Sequence, residues 1–142
     1  MSNMQENSSF STLKMHHIVF DNLSFTRKGF QNRESDDIQF HINASIGERK
    51  EDSTYKVTLE VIADKEEEYT ASAKISGFFR FESDNLSPDL KENILKKNTV
   101  AILFPYIRSQ LALLTAQPET TPITIPPMNI NALIDAAIDS QP

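Results

Sequence analysis

Residues 101–137 read AILFPYIRSQLALLTAQPETTPITIPPMNINALIDAA, and this stretch decides the interpretation of the whole chain. Residues 102–114 carry apolar side chains at the three- and four-residue spacing that is typical of an amphipathic helix. Because Pro105 lies inside that segment, we expect the helix to start close to it or an earlier turn to be kinked there. The prolines within residues 117–129 favour an extended connector. A second, shorter helix is predicted after the connector, with one apolar face formed by Ile130, Leu133, Ile134, Ala137 and Ile138.

Four segments before this stretch alternate between apolar and polar residues, which is the period of a β-strand. They are residues 13–27, 38–46, 55–63 and 69–82. The short loops between the second, third and fourth segments predict an antiparallel meander, because parallel neighbours need crossovers of about a dozen residues or more. Strands followed by helices with apolar stripes predict an α+β fold, in which a four-stranded antiparallel sheet packs on a long helix and a shorter C-terminal helix.

Local signals refine this prediction. In the first strand, Val19, Leu23 and Phe25 are expected on one face, and Ile18, Phe20, Asn22, Ser24 and Thr26 on the other. Large apolar groups on both faces of a free edge strand recruit other chains, so we interpret this strand as a subunit contact. Gly77 breaks the alternation of the fourth strand and suggests a bulge that re-aims the phenylalanines after it.

Three further segments are expected outside the strands. Ser87 followed by Pro88 is typical of a helix N-terminus and predicts a short helix that ends near Lys97. Residues 27–37 form a connecting loop with Phe30 at its tip, and the charged residues 65–68 are expected to form a solvated turn.

Composition excludes several classes of function. The chain has 142 residues, a net charge of −6 and no cysteine. One domain of this size is expected, without a basic cluster for nucleic acid, a membrane-spanning run or a secretory signal, so the cytoplasm is the default location. No motif for a nucleophile, a phosphate loop, paired catalytic carboxylates or a metal site occurs, so neither an enzyme nor a cofactor is expected.

Two sequence blocks resemble the SecB-type export chaperones. Residues 100–108 read VAILFPYIR and are similar to the family's block ILFPYAR at the start of its long helix. Residues 123–133 read ITIPPMNINAL and are similar to its block LAPVNFDAL before the last helix. The resemblance covers residues 13–138, which leaves residues 1–12 as a flexible N-terminal arm and residues 139–142 as a short C-terminal tail.

The resemblance implies an ATP-independent holdase that binds unfolded polypeptides. Such chains pair through strand one and the long helix and assemble into a homotetramer, a dimer of dimers; the contact residues are expected to be Ile18, Phe20, Leu103, Tyr106, Ile107 and Leu111. The resemblance also implies grooves lined by the loop after strand one, the connector and the last helix. Candidate groove residues are Phe25, Phe30, Phe40, Phe78, Phe79, Met128, Ile130, Leu133 and Ile134.

A surplus of aromatic residues agrees with such a groove. Phe20, Phe30, Phe78, Phe79 and Phe81 exceed what a small two-layer core obviously accommodates. Exposed apolar patches usually mark an interaction site, so some of these residues are expected to line a peptide groove. The competing interpretation is that all five lie in the core or in oligomer contacts.

The clients and docking partner follow less directly from the resemblance. Preproteins bound for export are the expected clients, and the motor ATPase SecA is the expected docking partner. The positions that align with the family's acidic SecA-docking residues are Asn22, Thr26 and Ser72, so SecA is a weak candidate. The alternatives are a chaperone dedicated to one client, such as the antitoxin of a toxin–antitoxin pair, and an oligomeric interaction module without chaperone activity.

Overall fold

The computed structural model describes residues 13–33, 37–82 and 85–125. It contains four strands, β1 (Leu13–Arg27), β2 (Ile38–Arg49), β3 (Thr54–Lys65) and β4 (Tyr69–Phe81), followed by the helix α1 (Pro88–Leu114). The strands form one antiparallel sheet in the order β1-β4-β3-β2, so the meander predicted for β2 to β4 is confirmed and β1 lies beside β4. The arm 1–12, the last helix expected over residues 130–138 and the tail 139–142 lie outside the described residues.

The core lies between one face of the sheet and α1. On this inner face, the alternation of β3 and β4 places every second side chain in the core, including Leu59, Ile75 and Phe79. The helix contributes Leu103, Ile107 and Leu111, which are fully buried at the spacing of an amphipathic helix. It lies over β4, β3 and β1 and contributes little to covering β2.

Two bulges in β1 correct the faces predicted for that strand. The register against β4 shifts between Met15 and His17 and again between Phe20 and Asn22, so His16 and Asp21 are extra residues. Each extra residue reverses the alternation of the side chains that follow it. The predicted grouping of Val19 with Phe25 is therefore wrong; the inner face of β1 carries Met15, Ile18, Phe20, Leu23 and Phe25.

The bulge predicted at Gly77 is also wrong. β4 pairs with β3 without a register shift from Tyr69 to Phe79. A Cβ atom on Gly77 would lie 2.6 Å from the ring of Phe79 and 3.0 Å from the side chain of Leu103. The glycine therefore leaves space for core packing rather than breaking the strand.

The helix α1 is one continuous element of 27 residues, and the prediction of a short helix that ends near Lys97 is wrong. Its predicted start is confirmed, because the Ser87 hydroxyl accepts a hydrogen bond from the Leu90 amide at 3.2 Å and Pro88 follows the cap. The helix passes through Pro105 on its exposed side. The carbonyl that loses its intrahelical partner belongs to Ala101, which is exposed and accessible to water.

The connector returns to the core directly after α1. The Thr115 hydroxyl donates a hydrogen bond to the Leu111 carbonyl at 2.7 Å and accepts one from the Ile123 amide at 2.8 Å. Ile123 and Ile125 are buried in the core cluster. The first part of the connector therefore packs on the domain.

Candidate peptide-binding surface

The loop after β1 and the connector after α1 contact each other at one end of the sheet. The Arg27 guanidinium donates hydrogen bonds to the Pro118 carbonyl at 2.8 Å and to the Thr120 hydroxyl. The Thr121 hydroxyl donates to the Asn32 side-chain oxygen at 3.2 Å. Residues 27–33 and 117–125 together are called the loop–connector surface below.

A buried ion pair fixes the loop from the other side, so the expectation of a solvated turn at residues 65–68 is wrong. Lys65 and Glu68 are only 6% and 3% exposed, whereas Glu66 and Glu67 are exposed. Lys65 Nζ lies 3.1 Å from Glu68 Oε1 and donates to the Arg33 carbonyl at 2.7 Å. The Glu68 carboxylate accepts the Arg33 amide at 3.2 Å.

Backbone contacts complete this attachment. The Glu68 carbonyl accepts the Lys28 amide at 2.8 Å. A Cβ atom on Gly29 would lie 2.6 Å from the Glu67 carbonyl oxygen, so the loop approaches the turn more closely than a larger residue permits. Both flanks of the loop are therefore held by the turn.

Phe30 lies between these attached flanks, and its side chain is 93% exposed. A phenylalanine that projects into solvent from a fixed loop is unusual, because large apolar side chains are normally buried. This residue is the most exposed of the large hydrophobic residues in the described ranges.

The structure separates the other aromatic groove candidates. Phe25 is half-buried on the inner face of β1, with its ring 5.4 Å from that of Tyr69 and the Arg27 guanidinium 5.8 Å away. Phe40 is half-buried on the inner face of β2. Phe78 lies on the opposite, outer face, stacked on His17 at 4.4 Å.

Phe79 is a correction to the predicted groove. Its side chain is fully buried in the core, with 0% of its surface accessible to solvent, so it cannot line a groove. The remaining candidates, Met128, Ile130, Leu133 and Ile134, lie outside the described residues.

The predicted oligomer contacts also need correction. Leu103, Ile107 and Leu111 are fully buried in the core of this one chain and offer no surface to a second chain. Tyr106 is exposed on α1, and Ile18 and Phe20 are half-buried on β1. Leu90 and Leu113, which the predicted contact set does not include, are also exposed on α1.

One buried hydroxyl beside Phe25 has no hydrogen-bond partner in the described part of the chain. Tyr69 is 1% exposed, and its hydroxyl is unpaired there. Burial and, to a smaller extent, the negative charge of Glu68 together raise the pKa of the Tyr69 phenol to about 12. The phenol is therefore neutral at physiological pH, with an unused capacity to donate a hydrogen bond.

The outer face of the sheet is uncharged at the positions predicted for SecA docking. Asn22, Thr26 and Ser72 all lie on this face, opposite Lys74, Thr70 and Ser24 of the neighbouring strand. The Ser24 and Ser72 hydroxyls are 2.6 Å apart. These positions therefore present neutral hydrogen-bonding groups rather than carboxylates.

The described ranges lack the features of two other classes of site. Residues 13–33, 37–82 and 85–125 hold no group of three or more His, Cys, Asp or Glu side chains arranged for a metal ion. Within the same ranges, no helix has the length and apolar character needed to cross a membrane.

Comparisons with known proteins agree with this architecture. The family described as "Preprotein translocase subunit SecB" matches residues 3–141. The fold is similar to that of the Mycobacterium tuberculosis Rv1957 SecB-like chaperone, solved in complex with a ChAD peptide from the Rv1956 HigA1 antitoxin. That similarity has a TM-score of 0.64 at 12% sequence identity and covers 89% of this chain and 99% of the other.

A shorter sequence similarity links the chain to MJ0357, an uncharacterized protein of Methanocaldococcus jannaschii. The two are 32% identical over 63 residues, which is 44% of this chain. The chain spans only 39% of the length of that relative.

Proposed function

The chain belongs to the SecB family, and from that premise we propose that it is an ATP-independent holdase chaperone. It binds unfolded or non-native polypeptides at the loop–connector surface, and its clients are preproteins bound for export from the cytoplasm. The observation that supports this most strongly is the 93% exposure of Phe30 on a loop fixed by a buried ion pair. No nucleotide is needed, because binding alone prevents aggregation.

Two properties of the loop tip favour client binding. A loop that is already ordered loses little backbone conformational entropy when a client covers its tip. An aromatic ring provides a large apolar contact that does not depend on a particular client sequence. Phe25 and Phe40 add half-buried apolar surface on the inner face of the sheet.

Oligomerisation would strengthen this weak, sequence-tolerant binding. We propose a homotetramer, built as a dimer of dimers, with contacts through β1 and through the exposed side of α1. Ile18, Phe20 and Tyr106 remain candidates for these contacts, with Leu90 and Leu113 added from their exposure. Several binding surfaces on one oligomer increase the effective concentration of each for a long client.

An aggregation assay tests the holdase activity. A chemically unfolded preprotein is diluted into increasing amounts of the purified protein, and light scattering is recorded. Suppression near one tetramer per client is expected. Failure of a folded, oligomeric preparation to suppress aggregation would contradict a general holdase, and a monomeric preparation that binds no client would favour a plain interaction module.

A double variant tests the binding surface in the same assay. Phe30→Ala combined with Ile134→Ala is expected to weaken client binding while the oligomer stays intact by size-exclusion chromatography. Lys50→Ala is the control, because it also truncates an exposed side chain but lies in the turn between β2 and β3, outside the proposed binding surface and oligomer contacts. Equal activity of the double variant and the control would exclude Phe30 and Ile134 from client binding.

A second candidate function is supported by the outer face of the sheet. Asn22, Thr26 and Ser72 supply no negative charge for SecA, and the solved SecB-like chaperone of similar fold holds an antitoxin peptide. A chaperone dedicated to the antitoxin of a toxin–antitoxin pair agrees with both observations. Rescue of one antitoxin encoded beside this chain, without suppression of preprotein aggregation, would favour it over the general holdase.

A further inference from the structure

One end of the outer face of the sheet carries cations around a pair of stacked rings. Phe78 is half-buried there, and its ring lies 4.4 Å from the exposed ring of His17. Lys56 Nζ lies 5.9 Å from the centroid of the Phe78 ring. Arg80 is the next outward residue of β4, and Lys14 lies directly opposite it on β1. These five residues are called the basic–aromatic patch below.

Most of the positive charge of this patch has no partner. Lys14 Nζ lies 2.7 Å from the Glu82 carboxylate, and both side chains are exposed. Lys56 and Arg80 are also exposed, and among the residues that the structure describes no carboxylate forms an ion pair with either of them. The patch is therefore positive, although the chain as a whole has a net charge of −6.

The arrangement of the cations is unfavourable in the chain alone. Lys14 and Arg80 occupy directly opposite positions on neighbouring strands, where like charges repel. Lys56 lies opposite Phe78, one outward position from Arg80, so it adds to the same field. Carboxylates placed between these cations would remove the repulsion. The stacked rings beside them offer apolar contact area to the same partner.

We propose that the basic–aromatic patch binds an acidic, extended segment of a partner protein. Carboxylates at every second residue of such a segment are about 7 Å apart, which equals the distance between successive outward residues of β4. Two carboxylates pair with Lys56 and Arg80, and an apolar residue of the segment covers the rings of His17 and Phe78. This interaction goes beyond the holdase function and does not depend on it.

Neighbouring carboxylates limit where the acidic segment can lie. A depression of about 350 Å³ borders the patch towards the middle of the sheet and is lined in part by Asp21, Glu60 and Ser76. The Ser76 hydroxyl donates a hydrogen bond to the Asp21 carboxylate at 2.5 Å. Asp21 and Glu60 would repel an acidic segment, so the segment should cover the end of the sheet at Arg80.

The patch is separate from the loop–connector surface. His17 and Arg27 are ten residues apart on β1, which is roughly 30 Å at the rise of a strand. A client and the acidic partner can therefore occupy the protein together. The patch also has the opposite charge to the acidic docking residues that the resemblance implied, so its partner differs from SecA in charge.

The small number of cations favours a protein segment over nucleic acid. Affinity for nucleic acid grows with the number of phosphates that Lys and Arg neutralise. The patch has three cations, of which Lys14 is already paired, and the net charge of −6 repels a long polyanion. A short acidic segment needs only two or three cations.

A pair of peptides tests the charge of the partner. The probe is a fluorescein-labelled octapeptide in which glutamate alternates with serine and one central serine is replaced by phenylalanine. The matched peptide has glutamine in place of glutamate. In fluorescence anisotropy, the acidic probe should bind at least about tenfold more tightly, because each of two ion pairs contributes up to about 1 kcal/mol. Raising the salt from about 0.01 M to about 0.15 M should weaken it, because screening shortens from about 30 Å to about 8 Å.

Protein variants locate the bound probe. Arg80→Gln should weaken binding of the acidic probe by about threefold or more. Lys28→Gln is the control, because it removes one exposed cation at the other end of the sheet and changes the net charge equally. Lys56→Glu combined with Arg80→Glu should lose the acidic probe and bind a version with lysine in place of glutamate. An unfolded variant would not show that gain.

The outcomes separate this inference from the proposed holdase function. Equal binding of the acidic and glutamine peptides would overturn the inference, and so would a larger effect of Lys28→Gln than of Arg80→Gln. Tighter binding of single-stranded RNA or of vesicles with anionic lipid, sensitive to the same variants, would overturn a protein partner. Retained suppression of preprotein aggregation by the doubly reversed variant would support two separate surfaces. Failure of the unaltered protein to suppress aggregation would contradict the holdase and leave binding of the acidic probe standing.

Discussion

The turn at residues 65–68 and the loop tip at Phe30 each have the opposite solvent exposure to the one expected from their composition. The turn contains four charged residues, and two of them, Lys65 and Glu68, are buried. The tip carries a phenylalanine, and its side chain is 93% exposed. Buried charge therefore supports the loop, while apolar surface is exposed at its tip.

The backbone of the loop explains why charges are buried there. Residues 28–33 leave the sheet, so their amides and carbonyls lose the partners that a strand provides. Lys65 supplies a donor for the Arg33 carbonyl, and Glu68 supplies an acceptor for the Arg33 amide. The ion pair satisfies polar groups that an apolar pair of similar size would leave unpaired.

The largest expected effect follows from removing one member of this pair. Lys65→Met leaves the Glu68 carboxylate buried without its cation and removes a donor from the Arg33 carbonyl. We expect the free energy of unfolding to fall by about 3–5 kcal/mol, measured by urea denaturation. The control is Glu67→Gln, because Glu67 pairs with Arg33 at 2.7 Å on the surface; its expected loss is under about 1 kcal/mol. Equal losses would show that burial does not distinguish the two pairs.

The next effect concerns the close approach of the loop to the turn. Gly29→Ala should reduce the free energy of unfolding by about 1–3 kcal/mol, because its Cβ would lie 2.6 Å from the Glu67 carbonyl oxygen. Trypsin should also cleave faster at Lys28 and Arg33 as the loop detaches. Gly47→Ala is the matched control, since nothing lies within 4 Å of a Cβ at that position. A loss at Gly47 as large as that at Gly29 would contradict the steric explanation.

The sequence predicts the elements whose signals are local. Alternation alone locates β2 to β4, and the Ser87 and Pro88 pair locates the start of the helix, because a hydroxyl cap needs only the next three residues. The position of Phe30 at a loop tip follows from the same local signals, whereas its 93% exposure does not. The sequence does not predict that α1 continues through Pro105. The helix tolerates this proline because Ala101, whose carbonyl loses its helical partner, is exposed to water, and that exposure depends on which side of the helix packs on the core.

Features set by distant contacts could not be predicted in the same way. Apolar residues occur at both odd- and even-numbered positions of β1, so only pairing with β4 determines which residues become bulges. Nothing in the order of charges at residues 65–68 indicates burial, which requires the loop after β1 to pack against them. Phe79 was assigned to the groove because the space beside Gly77 becomes apparent only in the packed core.

A smaller effect is expected at the boundary between the buried turn and the apolar surface, where Tyr69 follows Glu68. Burial raises the pKa of the Tyr69 phenol to about 12, above the usual value of 10.0. Between these pH values the folded chain holds the proton and the unfolded chain releases it, so stability falls as pH rises, by up to about 1.4 kcal/mol per pH unit.

Tyr69→Phe should flatten that alkaline decline and change stability at pH 7 by less than about 1 kcal/mol, because the lost hydroxyl has no partner in the described residues. Urea denaturation at pH 7, 9 and 10.5 measures both effects. Tyr106→Phe, on the exposed side of α1, should keep the decline of the unaltered protein. An unchanged alkaline decline in Tyr69→Phe would assign it to other groups.

The smallest effect on stability is expected at Phe30, although its proposed role in binding is the largest. Phe30→Ala removes a side chain that is 93% exposed, so the free energy of unfolding should change by less than about 0.5 kcal/mol. Client affinity, measured by fluorescence anisotropy with an unfolded preprotein, should fall by about tenfold or more if this ring is a binding hot spot. Lys65→Met, measured under conditions where it stays folded, should also weaken binding, because the loop would no longer hold the ring in place. If Phe30→Ala instead destabilised the fold and left client affinity unchanged, the exposed ring would have a structural role. The proposal that the turn supports the loop and that the tip binds the client would then be wrong.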